Sequence, residues 1–275
     1  MKRIGIIGFG VMGESLATAL LKYSDRYEIG LMEKREKRVI LAEEKYGLAV
    51  YSNPKAVMEN SDIIIVAVKP QDLSFLLEEL KESLPGNFKG SKYPFGIISI
   101  VAGRKMDVYR KYLAGRGDIS NIARFMPNIS ARISKAPVGV SFSDKADEEF
   151  KREAIIIAEA LGTPVEVSEN LIPAITGLSG SGIAFVFKFV HALSVGGVYA
   201  GLPYKTALET VKLMLSGAAA LLDLSKEDPA ELIHEVISPS GTTIEGILSL
   251  EKGAFDYTVI DAVKSAALRA KELEA

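Results

Sequence analysis

Apolar residues are spaced differently in the two halves of this chain. In the first half, short apolar runs alternate with stretches of helical spacing. Ile4 to Ile7, Tyr27 to Met32, Leu48 to Tyr51 and Ile63 to Val68 read as strands, followed by Tyr93 to Ile100, Asn121 to Phe125 and Val138 to Phe142. The run Ile63-Ile64-Ile65-Val66-Ala67-Val68 is continuous rather than alternating, as in a parallel strand buried on both faces. Between the runs, Leu16, Ala19 and Leu20 share one side of a helix over 14–22. Leu73, Leu76, Leu77, Leu80 and Leu84 recur at helical spacing and read as core. Asn53 precedes Pro54 as a helix cap before a first-turn proline. Strands alternating with helices predict βαβ units and a mainly parallel, doubly wound sheet.

Past about Val167 the strand pattern stops. Ile183 to Leu202 is nearly all apolar, broken by Lys188 and His191. Its length approaches the roughly 20 residues of a membrane span. Its two polar side chains and the Gly196-Gly197 pair favour a helix covered by protein, in a core or against a partner. Tyr204 to Leu222 and Phe255 to Leu273 read as further helices with little polar surface. One small domain cannot cover so much apolar surface, which predicts a homodimer with a large apolar interface. The expected division is an α/β dinucleotide-binding Rossmann domain over 1–166 and an all-α substrate and dimerisation domain over 167–275. The length of 275 residues suits two domains of roughly 150 each.

Composition narrows the chemistry. A net charge of −2 creates no basic field to recruit nucleic acid or a membrane. The chain has no cysteine and two histidines, His191 and His234, so disulfides are excluded and no metal site is expected. A cytoplasmic enzyme fits these features.

The candidate chemistry begins at Gly8-Phe9-Gly10-Val11-Met12-Gly13, a G-x-G-x-x-G directly after one predicted strand and opening a helix. Gly8 permits the tight turn, Gly10 lets backbone approach a pyrophosphate, and Gly13 lets helix and strand pack closely. The helix start then offers free N–H groups to phosphates. Lys2 and Arg3 before an apolar stretch could open a signal peptide, but Glu14 and the lack of a clear cleavage site argue against one. Glu33 lies twenty residues beyond Gly13, where such folds place an acid on the ribose 2′-hydroxyl. Lys34, Arg35, Lys37 and Arg38 follow it and would suit the 2′-phosphate of NADP, a conflict with Glu33. Lys37 and Arg38 read better as a solvated helix face. Lys69-Pro70-Gln71 follows the run Ile63 to Val68 at its carboxyl end, the edge where open α/β sheets bind ligands, and Val101-Ala102-Gly103 turns out of the end of the next strand. In the second half, Ser238-Pro239-Ser240-Gly241-Thr242-Thr243 is an irregular loop running into a helix start with hydroxyls, suited to a carboxylate or else a plain cap.

Together these motifs resemble the pyrroline-5-carboxylate reductase family. The resemblance rests on Gly8 to Gly13, Ala67 to Gln71, Arg124-Phe125-Met126-Pro127-Asn128, Gly177 to Gly182 and Ser238 to Thr243, in that order. It implies reduction of a small cyclic imino acid, L-1-pyrroline-5-carboxylate, to L-proline by NADPH, with NADH as the second candidate donor. It implies a homodimer with a shared active site, further assembly being left open. By the same resemblance Asn53, the Ala67 to Pro70 turn and Val101-Ala102 contact the cofactor. Thr243 hydrogen-bonds the imine nitrogen, the amides of Gly241, Thr242 and Thr243 hold the substrate carboxylate, and Ser238 and Glu169 lie on the substrate side. The chain departs from the family pattern at Ile183, Phe185, His191, Val195 and Ser240, the last standing in place of a glycine. A β-hydroxyacid or other imine reductase would place a lysine about one helical turn past a glycine-rich segment. Lys188 is six residues past Gly182, over a turn and a half along. A nucleotide-binding protein without catalysis is the non-enzymatic rival, and the retained Ser238, Gly241 and Thr243 count against it.

Overall fold

The predicted apolar runs become adjacent strands of one sheet. In the computed structural model, which describes residues 1–83, 96–114 and 119–274, eight strands form among the described residues. They are β1 Lys2–Ile7, β2 Tyr27–Met32, β3 Ala49–Val50, β4 Ile63–Val66, β5 Gly96–Ser99, β6 Ile122–Met126, β7 Ala136–Phe142 and β8 Gly162–Glu166. Their order is β3-β2-β1-β4-β5-β6-β7-β8. Neighbours pair in parallel except β6 with β7, which is antiparallel. The first six strands thus follow the doubly wound order, whose direction of winding reverses between β1 and β4. The strand expected over Tyr93 to Ile100 is present at Gly96–Ser99, and residues 93–95 lie outside the described residues, as does Leu84. β8, Gly-Thr-Pro-Val-Glu, carries no apolar run and was not expected.

Twelve α-helices occur among the described residues. The sheet is flanked by α1 Val11–Leu20, α2 Glu36–Ile40, α3 Pro54–Glu59, α4 Leu73–Ser83, α5 Met106–Leu113 and α6 Glu148–Leu161. After the short α7 Ile172–Ile175 come α8 Gly182–Tyr199, α9 Tyr204–Ser225, α10 Pro229–Val236, α11 Thr242–Lys252 and α12 Phe255–Glu272. The β4 run explains the layering. Ile63 and Ile65 join a cluster with Leu16 and Leu20 of α1 and Phe150 and Ile157 of α6. Ile64 and Val66 join another with Val57 of α3, Leu73 and Leu77 of α4 and Tyr109 of α5. A strand apolar at every position is therefore buried on both faces.

The chain divides into two compact units, Met1–Gly180 with the residues from Ala266 onward, and Ser181–Ser265. The second is all helical. Among the described residues one helical stretch, Glu169–Tyr199, is long and apolar enough to cross a membrane, and only 11% of its most apolar window is buried in this chain. The expectation of a covered helix is therefore not met within one copy: Phe187 is 60% and Tyr199 95% exposed.

Candidate active site

The glycine turn is built by close approach of backbone. Gly8 follows β1 with φ +99°, and a Cβ there would lie 2.7 Å from the Ala67 carbonyl oxygen. Only glycine fits, because both the backbone angle and the space forbid a side chain. The Gly8 amide donates to Met32 O at 2.9 Å and the Ala67 amide to Ile7 O at 2.8 Å, so the carboxyl ends of β1, β2 and β4 are knitted together. Gly10 is the N-cap of α1 and gives it no side-chain cap. A Cβ at Gly10 would find only Arg35 Nη2, at 3.8 Å. The start of α1 therefore keeps unsatisfied N–H groups and the positive dipole end beside open space, the requirement for an anionic pyrophosphate. Phe9 contributes only backbone to this surface, because its side chain is buried in the core.

Glu33 resolves the conflict noted in the sequence. Its side chain is buried, and its two oxygens accept from the amides of Phe9, Lys34 and Arg35, each at 2.9 Å. They also accept from Arg35 Nε at 3.0 Å and Nη2 at 2.8 Å. Burial alone would raise this carboxyl, but the Arg35 guanidinium and the amides of Arg35 and Phe9 hold it down at about 2. Both oxygens are thus engaged by the protein, which displaces the expectation that Glu33 caps a ribose 2′-hydroxyl. Arg35 cancels its charge, so the carboxylate no longer opposes a nearby phosphate. Lys34 is exposed, with Nζ 3.4 Å from Glu79 Oε1.

Arg38 corrects a second expectation. Lys37 is solvated as predicted, but Arg38 is half-buried against the turn. Its Nε donates to Phe9 O at 2.7 Å, and its Nη2 donates to Gly10 O at 3.2 Å and Glu14 at 2.8 Å. Its guanidinium lies 5.0 Å above the Phe9 ring centre. Nothing in the local pattern distinguishes it from Lys37. Only folding of α2 over the turn does.

A cavity of about 460 Å³ opens at this edge, between the ends of β1, β2 and β4 and helix α4. Of the expected cofactor residues, Gly8, Glu33, Lys34, Arg35, Val68 and Lys69 line it. Phe75 and Glu79 line it too and were missed, because they fall off the leucine stripe of α4. Phe75 is 74% exposed, a flat apolar face at a wet rim. Pro70 opens a short turn over Pro70–Asp72. Asn53 lies outside this lining and caps α3, its Oδ1 accepting from Ala56 N at 2.9 Å. Val101 and Ala102 also lie outside it, Val101 buried and Ala102 exposed after β5.

The substrate-side residues fall in both units. In the helical unit, Gly241 N donates to Ser238 O at 3.0 Å across Pro239 and Ser240. Ser240 has φ +56°, a left-handed corner that normally takes glycine. Gly241 is the N-cap of α11 and supplies no side-chain cap. Among the described residues, neither Thr242 nor Thr243 spends its hydroxyl as a cap, so this helix start also keeps free amides, with two hydroxyls beside them. Glu169, in the sheet unit, is turned inward: its Oε1 accepts from Met106 N at 2.6 Å and lies 3.7 Å from Arg124 Nη1.

Residues 169–273 match the family described as pyrroline-5-carboxylate reductase dimerisation, and residues 3–90 match that described as NADP oxidoreductase coenzyme F420-dependent. A pyrroline-5-carboxylate reductase of Aquifex aeolicus is 36% identical over 98% of this chain and 97% of its own length. The chain belongs to the pyrroline-5-carboxylate reductase family. Among solved structures, the pyrroline-5-carboxylate reductase of Coxiella burnetii superposes with a TM-score of 0.86 at 29% identity, covering 100% of this chain and 99% of that one. The Plasmodium falciparum pyrroline carboxylate reductase, solved with NADP bound, shares the fold at a TM-score of 0.84 and 24% identity, covering 100% and 98%. Both therefore share the fold of this chain over its whole length.

Proposed function

We propose that the chain reduces L-1-pyrroline-5-carboxylate to L-proline, with NADPH as the preferred donor and NADH as the second. The observation that carries this reading is the 36% identity over 98% of the chain to a relative named for that reaction. The uncapped starts of α1 and α11 support it, because each suits an anion and a reductase of a small imino acid needs two such sites: one for a pyrophosphate, one for a carboxylate.

The chemistry asks for orientation more than for a nucleophile. A cyclic imine protonated at nitrogen accepts hydride at the carbon of its C=N bond. The nicotinamide, when bound, supplies that hydride. Gly8 to Gly13 and the start of α1 receive the pyrophosphate, and the open space at Gly10 fits that approach. Phe75 offers its face to the adenine, Arg35 and Lys34 take the 2′-phosphate, and Asn53 and the Ala67 to Pro70 turn contact the cofactor. Val101 and Ala102 border its nicotinamide end. In the helical unit, the amides of Thr242 and Thr243 hold the substrate carboxylate and the Thr243 hydroxyl holds the imine nitrogen; the Gly241 amide, expected to join them, is already spent on Ser238 O. Ser238 sets the corner that presents them. The exposed apolar helices α8, α9 and α12 are covered by a second copy, giving a soluble cytoplasmic homodimer.

Oxidation of NADPH with pyrroline-5-carboxylate as the second substrate, with proline identified as product, tests the reading. A chain that binds NADPH but shows no imine-dependent oxidation overturns it.

A further inference from the structure

A second set of charges holds the carboxyl edge of the sheet, apart from the glycine turn. Arg124, in the middle of β6, is 1% exposed. Its Nη2 lies 2.7 Å from Glu274 Oε1, while its Nε and Nη1 make no hydrogen bond among the described residues. Glu274 is itself buried, and Lys105 Nζ lies 3.9 Å from its Oε2. The other carboxylate near Arg124 is Glu169, 3.7 Å from Nη1, and Glu169 holds the Met106 amide at the start of α5. Lys105 and Met106 both belong to the segment that leaves β5 at the ligand edge, the segment that carries Val101 and Ala102.

The same segment meets the chain's last residues through backbone. Gly103 has φ +65°, and a Cβ there would come within 2.9 Å of the Leu273 carbonyl oxygen. From inside the sheet, Ser99 Oγ accepts from Val101 N at 3.3 Å and from the Tyr109 hydroxyl at 2.7 Å. The turn over 99–106 is therefore clamped between buried Ser99 and Tyr109 on one side and Leu273 and Glu274 on the other.

We infer that Glu274, acting through Arg124 and Lys105, is a positioning residue that sets the turn over 99–106 against the nicotinamide end of the cofactor. The inference rests on the reading that Val101 and Ala102 border that end. Its physical basis is charge balance. Without the Glu274 carboxylate, Arg124 keeps a buried charge whose nearest counter-charge is Glu169. Glu169 is then drawn from the Met106 amide, and the start of α5 and the preceding turn shift with it. Binding of the adenosine half, in the cavity beside Glu33 and Phe75, does not involve these groups.

The test is Glu274→Gln in the full chain, followed by hydrogen exchange of the free protein, NADPH titration by fluorescence and steady-state kinetics. The control is Glu153→Gln. That buried carboxylate accepts from the Tyr27 hydroxyl at 2.5 Å and lies 3.1 Å from both Lys2 Nζ and Arg26 Nη2, at the amino ends of β1 and β2. Glu274→Gln is expected to speed amide exchange over 100–106 and to lower kcat about tenfold, because small misplacement of a reacting group is costly. The NADPH dissociation constant is expected to stay within about twofold, since the adenosine contacts are intact. Unchanged exchange over 100–106 overturns the inference, as does a kcat loss that Glu153→Gln reproduces. A wild-type chain inactive on pyrroline-5-carboxylate refutes the functional reading separately, and the exchange data still decide the latch.

Discussion

The sheet unit and the helical unit use their apolar residues in opposite ways. The sheet unit hides Ile4, Ile6, Phe125 and Phe150 completely, and both faces of its sheet are covered by its own helices. In the helical unit, Ser181–Ser265, Ala207 and Val211 are the only buried hydrophobic side chains among the described residues. Leu224 is 80%, Tyr257 70% and Ile260 65% exposed. Soluble monomers seldom leave apolar area of that extent in water, which agrees with the match of residues 169–273 to a dimerisation family and with the second copy proposed above. The sheet unit is stabilised by its own chain; the proposed dimer makes the helical unit depend on concentration.

The largest effect follows from breaking that dependence. Phe187→Asp with Ile260→Asp is expected to split the proposed dimer, whose two-fold interface would feel each change twice. A loss of about 4 kcal/mol per dimer corresponds to roughly a thousandfold weaker association. Sedimentation across a dilution series reads it, and a chain still dimeric at all dilutions places the interface elsewhere. Next comes Thr243→Ala. It is expected to lower kcat about a hundredfold, the scale of a lost proton-handling group, with NADPH affinity unchanged. Equal losses in kcat and cofactor affinity would remove Thr243 from the substrate side.

The sheet unit has a smaller, concentration-independent weak point in Glu33. Its carboxyl is depressed from 4.5 to about 2 in the folded chain. A depressed acid contributes stability that is fully present above the unfolded value and lost as pH falls through the folded one. The contribution, about 2 kcal/mol after allowing for the exposure of Arg35, is expected to be whole above pH 4.5 and to fade toward pH 2. Thermal melts of Glu33→Gln against wild type should therefore differ at neutral pH and converge in acid; a constant gap would contradict the assignment. The smallest effect expected is at Lys34, an exposed side chain. Lys34→Ala should reduce the NADPH-to-NADH ratio of kcat/KM about threefold, and an unchanged ratio would remove Lys34 from the proposed 2′-phosphate site.

Legibility tracked the range of the interactions. β2 was read at its observed bounds, and the unbroken apolar run of β4 announced burial on both faces. β8 was invisible because Gly162, Thr163 and Pro164 look like a turn, and it becomes a strand only by pairing with β7. Arg38 and Lys37 are indistinguishable as letters, yet one braces the glycine turn and the other is solvated. The apolar character of Ile183 to Leu202 was plain, but its cover was expected within a core or from a partner, and the single chain supplies almost none.

By itself, the sequence determined the periodicities, the glycine turn and the two helix starts, because these depend on neighbours a few residues apart and on backbone angles few residue types can adopt. It also carried enough pattern over its whole length to place the chain in its family. Only the tertiary structure decided which polar groups meet: the Glu33 carboxylate on the Phe9 amide over the glycine turn, Arg38 on the Phe9 and Gly10 carbonyls, and Arg124 between Glu169 and Glu274. Pairings between residues tens to more than a hundred positions apart leave no local trace, since a charged side chain looks the same in a sequence whether water or a buried partner neutralises it.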